Sequence, residues 1–304
     1  MMQKFKFTLI NISRLLAIVG LVWLSGCGKY EEIEGIDWEA DIPASDSVFN
    51  REIQIYDLGN NNIPEGHRPL DSQDPMYFSL EKFSSLHIAY KTTHRWDIAF
   101  AGLYSSGVTS NNGLAQGLGY GSSARGGIMI LDSAYSQVKS VPADQLFDAS
   151  GTQGLAGMGG DLYANGYAFY TFFENIFRPD KTINLGSSDP NLAADANKYL
   201  HMMYCMSEEF AKNFPGEYGP RKIKISPRTV IVRTAAGNYA KIEFQSMYKG
   251  VMDSKQMYRG SDRPVPYHSF KYMLIKADER RFGFVARRPS LTINLSTKKT
   301  TVGK

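Results

Sequence analysis

Apolar residues recur at every second position in several short runs of this chain, the period of a strand that buries one face. The clearest pair is R-T-V-I-V-R-T-A, Arg228 to Ala235, and N-Y-A-K-I-E-F-Q-S-M-Y, Asn238 to Tyr248. In the second run Ala240, Ile242 and Phe244 oppose Lys241, Glu243 and Gln245, and Gly237-Asn238 supplies turn residues, so the two runs predict a hairpin. Y-H-S-F-K-Y-M-L-I-K-A, from Tyr267, predicts a further strand beside it. Upstream, V-F-N-R-E-I-Q-I-Y-D-L, Y-F-S-L-E near Tyr77 and G-G-I-M-I-L-D read as strands. So does H-R-W-D-I-A-F, with Trp96, Ile98 and Phe100 expected on one face.

One segment shows helical spacing. Leu192, Ala196, Tyr199, Met203, Met206, Phe210 and Phe214 predict a helix from about Pro190 to Phe214, with Asp189 as N-cap and Pro215-Gly216 as its stop. Met203 and Met206 are then core residues, and Cys205 a buried free thiol. Between Gly102 and Gly127 lie eight glycines with serines and asparagines, which predicts a long loop. Strands outnumber helices, so the fold class expected is mainly β with one or two helices.

Composition adds little to this but excludes several classes. The 304 residues are 43% hydrophobic and 21% charged, enough for one substantial core and unlike a disordered chain. The net charge of +4 is spread along the chain without a basic stripe, so no nucleic-acid partner is expected. No P-loop, H-E-x-x-H, G-x-S-x-G or dinucleotide fingerprint is present, and nothing brings Asp132 and Asp161 together as a catalytic pair. A non-enzyme is expected.

The N-terminus has its own order. Lys4, Lys6 and Arg14 precede the apolar run L-L-A-I-V-G-L-V-W-L, which is shorter than the ~20 residues that cross a bilayer. It ends in Leu24-Ser25-Gly26-Cys27, which resembles a bacterial lipobox. Residues 1–26 are therefore expected to be a signal peptide and Cys27 the lipidation site. Residues 27–46 are expected to form a flexible tether, 47–290 a single domain and 291–304 a polar basic tail. The acidic stretch G-K-Y-E-E-I-E-G after the anchor resembles an export signal to the outer face of the outer membrane.

G-L-A-G-M-G-G-D-L-Y, Gly154 to Tyr163, raises the one pointed question of chemistry, because Met158 stands alone among four glycines with few local neighbours to pack against. A resemblance suggests an answer. W-D-I-A-F, the glycine-rich loop, G-G-I-M-I-L-D-S-A-Y-S-Q-V-K-S-V-P, A-F-Y-T-F-F and the hairpin R-T-A-A-G-N-Y-A-K-I-E-F resemble the HmuY family of Bacteroidetes haem-binding lipoproteins over about Val48 to Ala277. The resemblance implies an all-β, hand-shaped architecture that grips haem b between two loop-borne axial side chains. The corresponding positions are Met129 and Met158, and no histidine lies between His94 and His201 to serve there instead.

A thioether is a soft, neutral donor that favours ferrous iron, and it needs no deprotonation. Tyr120, Tyr163, Tyr167, Phe169 and Leu155 would supply walls for the macrocycle, and Arg125 a donor to its propionates. By the same resemblance, the partners are haem, host haemoproteins and a TonB-dependent outer-membrane haem transporter. A simpler role for Met129, in its apolar strand, is core filling. The alternative from another class is a surface glycan-binding or adhesive lipoprotein using Trp96, Tyr104 and Tyr120 as sugar platforms.

Overall fold

The computed structural model describes residues 44–59, 73–148, 166–171, 175–178, 198–200, 202–220, 222–260, 262–283 and 288–303. Period-2 alternation becomes sheet. β1 (Glu52–Gly59) is followed by β2 (Gln73–Ser79), β3 (Ser84–Leu86), β4 (Ile98–Gly102) and β5 (Gly107–Ser110), and then by β6 (Gly127–Leu131). The helix α1 (Asp144–Asp148) precedes β7 (Ala168–Thr171) and β8 (Met202–Cys205), and α2 (Glu208–Asn213) precedes the two-residue β9 (Glu217–Tyr218) and β10 (Ile223–Lys224). The predicted hairpin is β11 (Thr229–Arg233) and β12 (Tyr239–Ser246), and the last strands are β13 (Tyr267–Ile275), β14 (Leu291–Asn294) and β15 (Lys299–Val302). The fold is mainly β with two short helices among the described residues.

Seven strands form one sheet in the order β15-β14-β1-β13-β12-β11-β6, and four form a second in the order β3-β2-β4-β5. Ile53 and Ile55, Ile128, Val230 and Val232, Ile242 and Phe244, and Phe270 and Leu274 from the first sheet meet Phe78, Ile98, Phe100 and Val108 from the second. That shared core is why the alternating faces of both sheets are apolar. β7 and β8 pair as a separate ribbon, and Phe169, Met202 and Tyr204 join Phe177, Phe210 and Phe214 in a second apolar cluster.

Four expectations are corrected. Residues 202–205 are not helical: M-M-Y-C is a strand buried on both faces, and the helix begins only after Ser207, whose hydroxyl accepts the Phe210 N–H at 3.0 Å. Two adjacent apolar elements had together imitated one helical stripe. Leu291 to Val302 is no tail, since β14 pairs in parallel with β1, from Ile53↔Leu291 to Tyr56↔Asn294, and β15 pairs with β14. The glycine-rich stretch after Gly102 contains β5, which pairs with β4. Trp96 does not share a face with Ile98 and Phe100, because the chain bends at Asp97 before β4 begins, and the indole packs instead with Tyr77 and Ala99.

Asp97 and Glu81 join the second sheet to the turn of the β11–β12 hairpin. Oδ2 of Asp97 accepts from the Leu80 N–H at 2.7 Å and the Ser79 hydroxyl at 3.2 Å, and Oδ1 accepts from the Ala235 N–H at 2.9 Å. Glu81 Oε1 accepts from the Thr234 hydroxyl and the Asn238 amide, both at 2.8 Å. Burial, and then the neighbouring Glu81 charge, push the Asp97 carboxyl up to about 7 against the pull of its three donors.

Candidate functional site

Met129 lies in β6, the edge strand of the large sheet, in register with Ile231 of β11. Successive side chains of a strand point to opposite faces, so Ile128 enters the main core while Met129 turns to the other side. There it is half-buried against the cluster of Val138, Val141, Phe147, Ile231, Tyr239, Met273, Ile275 and Phe282. Its thioether therefore has apolar neighbours, a setting that suits both a packing role and a neutral soft donor.

The glycines ahead of it have a packing role. A Cβ on Gly127 would stand 2.7 Å from the Cβ of Phe147 in α1, and one on Gly126 would collide with the Asn111 carbonyl oxygen. Only glycine allows these approaches. The Gly127 approach sets α1 against β6, the strand that carries Met129.

Residues 111–126 form a loop that folds back on itself. The Asn111 amide donates to the Thr93 and Trp96 carbonyls at 2.9 and 2.8 Å, and its Oδ1 accepts from the Ser122 hydroxyl at 2.8 Å. Asn112 Nδ2 reaches the Gly126 carbonyl at 2.8 Å, and Asn112 bridges Arg125. The loop is thus held at both ends by buried amides, and its tip projects Leu114 and Tyr120, which are 73% and 65% exposed. Arg125 is exposed, donates to the Ala124 carbonyl at 3.0 Å, and through its own carbonyl accepts from Arg233 Nε at 2.7 Å.

Of the residues singled out from the sequence, Met129, Tyr120 and Arg125 fall on or beside β6 and the loop that leads into it. Met158, Tyr163, Leu155 and the anchor Cys27 lie outside the described residues. Tyr167 and Phe169 are buried in the main and second clusters, with Tyr167 4.4 Å from Phe244 between ring centroids, so they are core residues and not open walls. Trp96 and Tyr104 are also buried, and Trp96 Nε1 donates to the Lys91 carbonyl at 3.0 Å. Neither can present a face to a sugar. Cys205 is a buried free thiol, as expected, and burial pushes it far above the usual thiol range.

Three buried polar groups had no functional reading in the sequence. Lys241 on the far side of β12 is buried, with Nζ donating to the Tyr135 and Val138 carbonyls at 3.1 Å each and lying 4.3 Å from the Tyr135 ring centroid. Burial brings its ammonium down to about 8. Next to it, Glu243 pairs with Lys271 at 3.0 Å and accepts the Glu208 N–H at 2.8 Å. The polar face of β12 is thus roofed by residues 135–138 and by the start of α2.

His268 of β13, in phase with Phe270 and Tyr272, is fully buried and stacks on Phe100 at 4.3 Å. Neither ring nitrogen has an aligned partner. Burial brings the ring down to about 3, although the nearby Ser105 backbone favours its proton. The sequence signal for Asp97 and His268 was the phase of a polar residue inside an apolar run, which alternation alone marks without giving a role.

Among the described residues no three His, Cys, Asp or Glu side chains gather as a metal site would, and no helix is long and apolar enough to cross a membrane. The family model described as HmuY protein matches residues 71–259. A candidate HmuY_like heme binding protein from Bacteroides vulgatus ATCC 8482 is similar at 13% identity and a TM-score of 0.25, covering 77% of this chain and 97% of its own. A candidate lipoprotein from Bacteroides fragilis NCTC 9343 is similar at 12% identity and a TM-score of 0.23, covering 76% and 97%. No curated protein matches the chain.

Proposed function

Because the chain belongs to the HmuY family, we propose that it is a non-enzymatic haem-binding lipoprotein, anchored through Cys27 at the outer-membrane surface. Family membership is the observation that carries this reading. In it Met129 and Met158 are the axial ligands, Tyr120 and Tyr163 flank the macrocycle, and Arg125 faces a propionate. The edge position of Met129 supports the assignment, as does α1 beside it. The ten peptide steps from Asp148 to Met158 span up to roughly 35 Å, ample for the second sulfur to reach the first. Haem iron would accept two neutral thioethers without proton release, so affinity would vary little with pH and would favour the reduced metal.

The biological role proposed is capture of haem b from host haemoproteins and delivery to a TonB-dependent outer-membrane transporter. The glycan-binding alternative is weakened by the burial of Trp96 and Tyr104. Titration of the purified protein with haemin, recorded oxidised and reduced, tests the reading. A Soret band that shifts on binding and sharpens on reduction is expected. An unperturbed free-haemin spectrum in both states would overturn it.

A further inference from the structure

The turn between β4 and β5 holds two successive residues in a conformation that side chains oppose. Tyr104 (φ 58°) and Ser105 (φ 46°) both lie in the left-handed region, which L-residues other than glycine seldom adopt. Both are buried, Tyr104 at 2% exposure and Ser105 at 0%. Strain of this kind persists only where the surroundings hold it in place. Tyr104 has such surroundings, with the Arg259 guanidinium 5.5 Å and the Tyr170 ring 6.1 Å from its centroid. The Ser105 hydroxyl, by contrast, is buried and has no hydrogen-bond partner among the described residues.

His268 of β13 stands beside it. The Ser105 backbone is close enough to favour a proton on the ring. Yet Nδ1 and Nε2 are both buried without an aligned partner among the described residues. Two further neighbours are apolar: Phe100 stacks on the ring at 4.3 Å, and Leu58 stands opposite His268 in the β1–β13 register. Burial keeps the imidazole neutral, so it offers one N–H and one bare nitrogen. Three orphaned polar atoms therefore lie on two residues that adjoin between the sheets.

Each such atom, left dry, loses its hydration with nothing in return. The hydroxyl and the ring do not bond to each other directly. A water molecule between them would accept from one group and donate to the other, since it has two donors and two acceptor sites. Buried waters occupy places of this kind, making roughly three hydrogen bonds to groups that otherwise lack them.

We propose that Ser105 and His268 together hold one buried water molecule, which pins the strained β4–β5 turn of one sheet to β13 of the other. The proposal does not depend on haem binding.

Two measurements on the full chain test it. Cross-relaxation between the His268 ring C–H protons and water is expected in the wild type, and its absence would overturn the proposal without any variant having to fold. Magnetic relaxation dispersion of the solvent nuclei counts long-lived internal waters, and Ser105→Ala/His268→Phe is expected to hold one fewer than the wild type. Each single substitution is expected to raise the unfolding constant. The double variant is expected to be about tenfold less unfolded than the two single effects multiplied, because no orphan then remains. An equal water count, or single effects that simply multiply, would overturn the proposal. Coupling without a lost water would mean that hydroxyl and ring bond directly, and it would overturn the bridging water too.

Discussion

Gly127 and Phe147 touch so closely that the glycine has no room for a side chain: a Cβ there would be 2.7 Å from the Cβ of the phenylalanine and 3.2 Å from its carbonyl oxygen. Both of those atoms belong to, or hang directly from, the backbone of α1, so neither can swing aside. Gly127→Ala is expected to destabilise the fold by about 1–3 kcal/mol, the usual cost of overpacking, and to weaken haem binding as α1 moves off β6. Paired denaturant melts and haemin titrations check this. A variant with wild-type stability would show that α1 yields freely.

Met129 can fill space, bind iron or do both, and leucine separates these roles. Met129→Leu keeps most of the volume and is expected to cost less than about 1.5 kcal/mol, while it removes the sulfur. The reduced haem spectrum is expected to change in Met129→Leu as much as in Met129→Ala. If the leucine variant binds with a wild-type spectrum, Met129 is a packing residue only.

Asp97 and His268 pull stability in opposite directions with pH. The Asp97 carboxyl is raised from 3.8 to about 7 in the fold, so the folded chain holds a proton that the unfolded chain releases, and stability from this group falls as pH rises from about 4 to 7. The His268 ring is lowered from 6.5 to about 3, so the unfolded chain takes up the proton, and stability from this group rises over about pH 3 to 6.5. Between pH 4 and 6.5 the two slopes cancel.

Asp97→Asn is therefore expected to gain stability with rising pH by about 1.4 kcal/mol per unit, and His268→Phe to lose about as much. The wild type stays nearly flat between them as far as these two groups are concerned. Melting curves at half-unit steps of pH read all three slopes, and a shared slope would refute the assignment.

Lys241 closes two backbone carbonyls that nothing else in the described structure is seen to satisfy. Lys241→Met keeps the stem but strands both oxygens, with an expected cost of about 1–3 kcal/mol. Hydrogen exchange of amides between Ala134 and Lys139 is expected to quicken in the variant. Unchanged protection there would mean that the roof over β12 is held by Tyr135 and Val138 packing alone.

Much of the architecture was legible from the order of side chains. The second strand of the hairpin, with Ala240, Ile242 and Phe244 against Lys241, Glu243 and Gln245, alternates, while the first strand, the run at Ile128 and the strand around Phe270 are short β-branched or apolar runs bounded by turn residues, and such local signals need no distant partner. The family was legible for the same reason, since its signature runs are contiguous. Met129, Tyr120 and Arg125 were picked out from those runs as candidates, and the fold leaves Tyr120 and Arg125 exposed.

Other features depended on contacts that no local pattern encodes. Leu291 and Ile293 became core only because β14 lies parallel to β1, which is more than two hundred positions earlier in the chain. Met202 to Cys205 is buried on both faces, so it carried no period to separate a strand from a helix. Trp96 changed sides because Asp97 is tied to Leu80 and Ala235, which bends the chain at the entry to β4. Lys241 and Glu243 fall on the polar face of β12 opposite Ala240, Ile242 and Phe244, yet residues from the 135–138 segment and from α2 arrive from elsewhere to cover them. Alternation tells which side chains share a face; only the packed chain decides what that face meets.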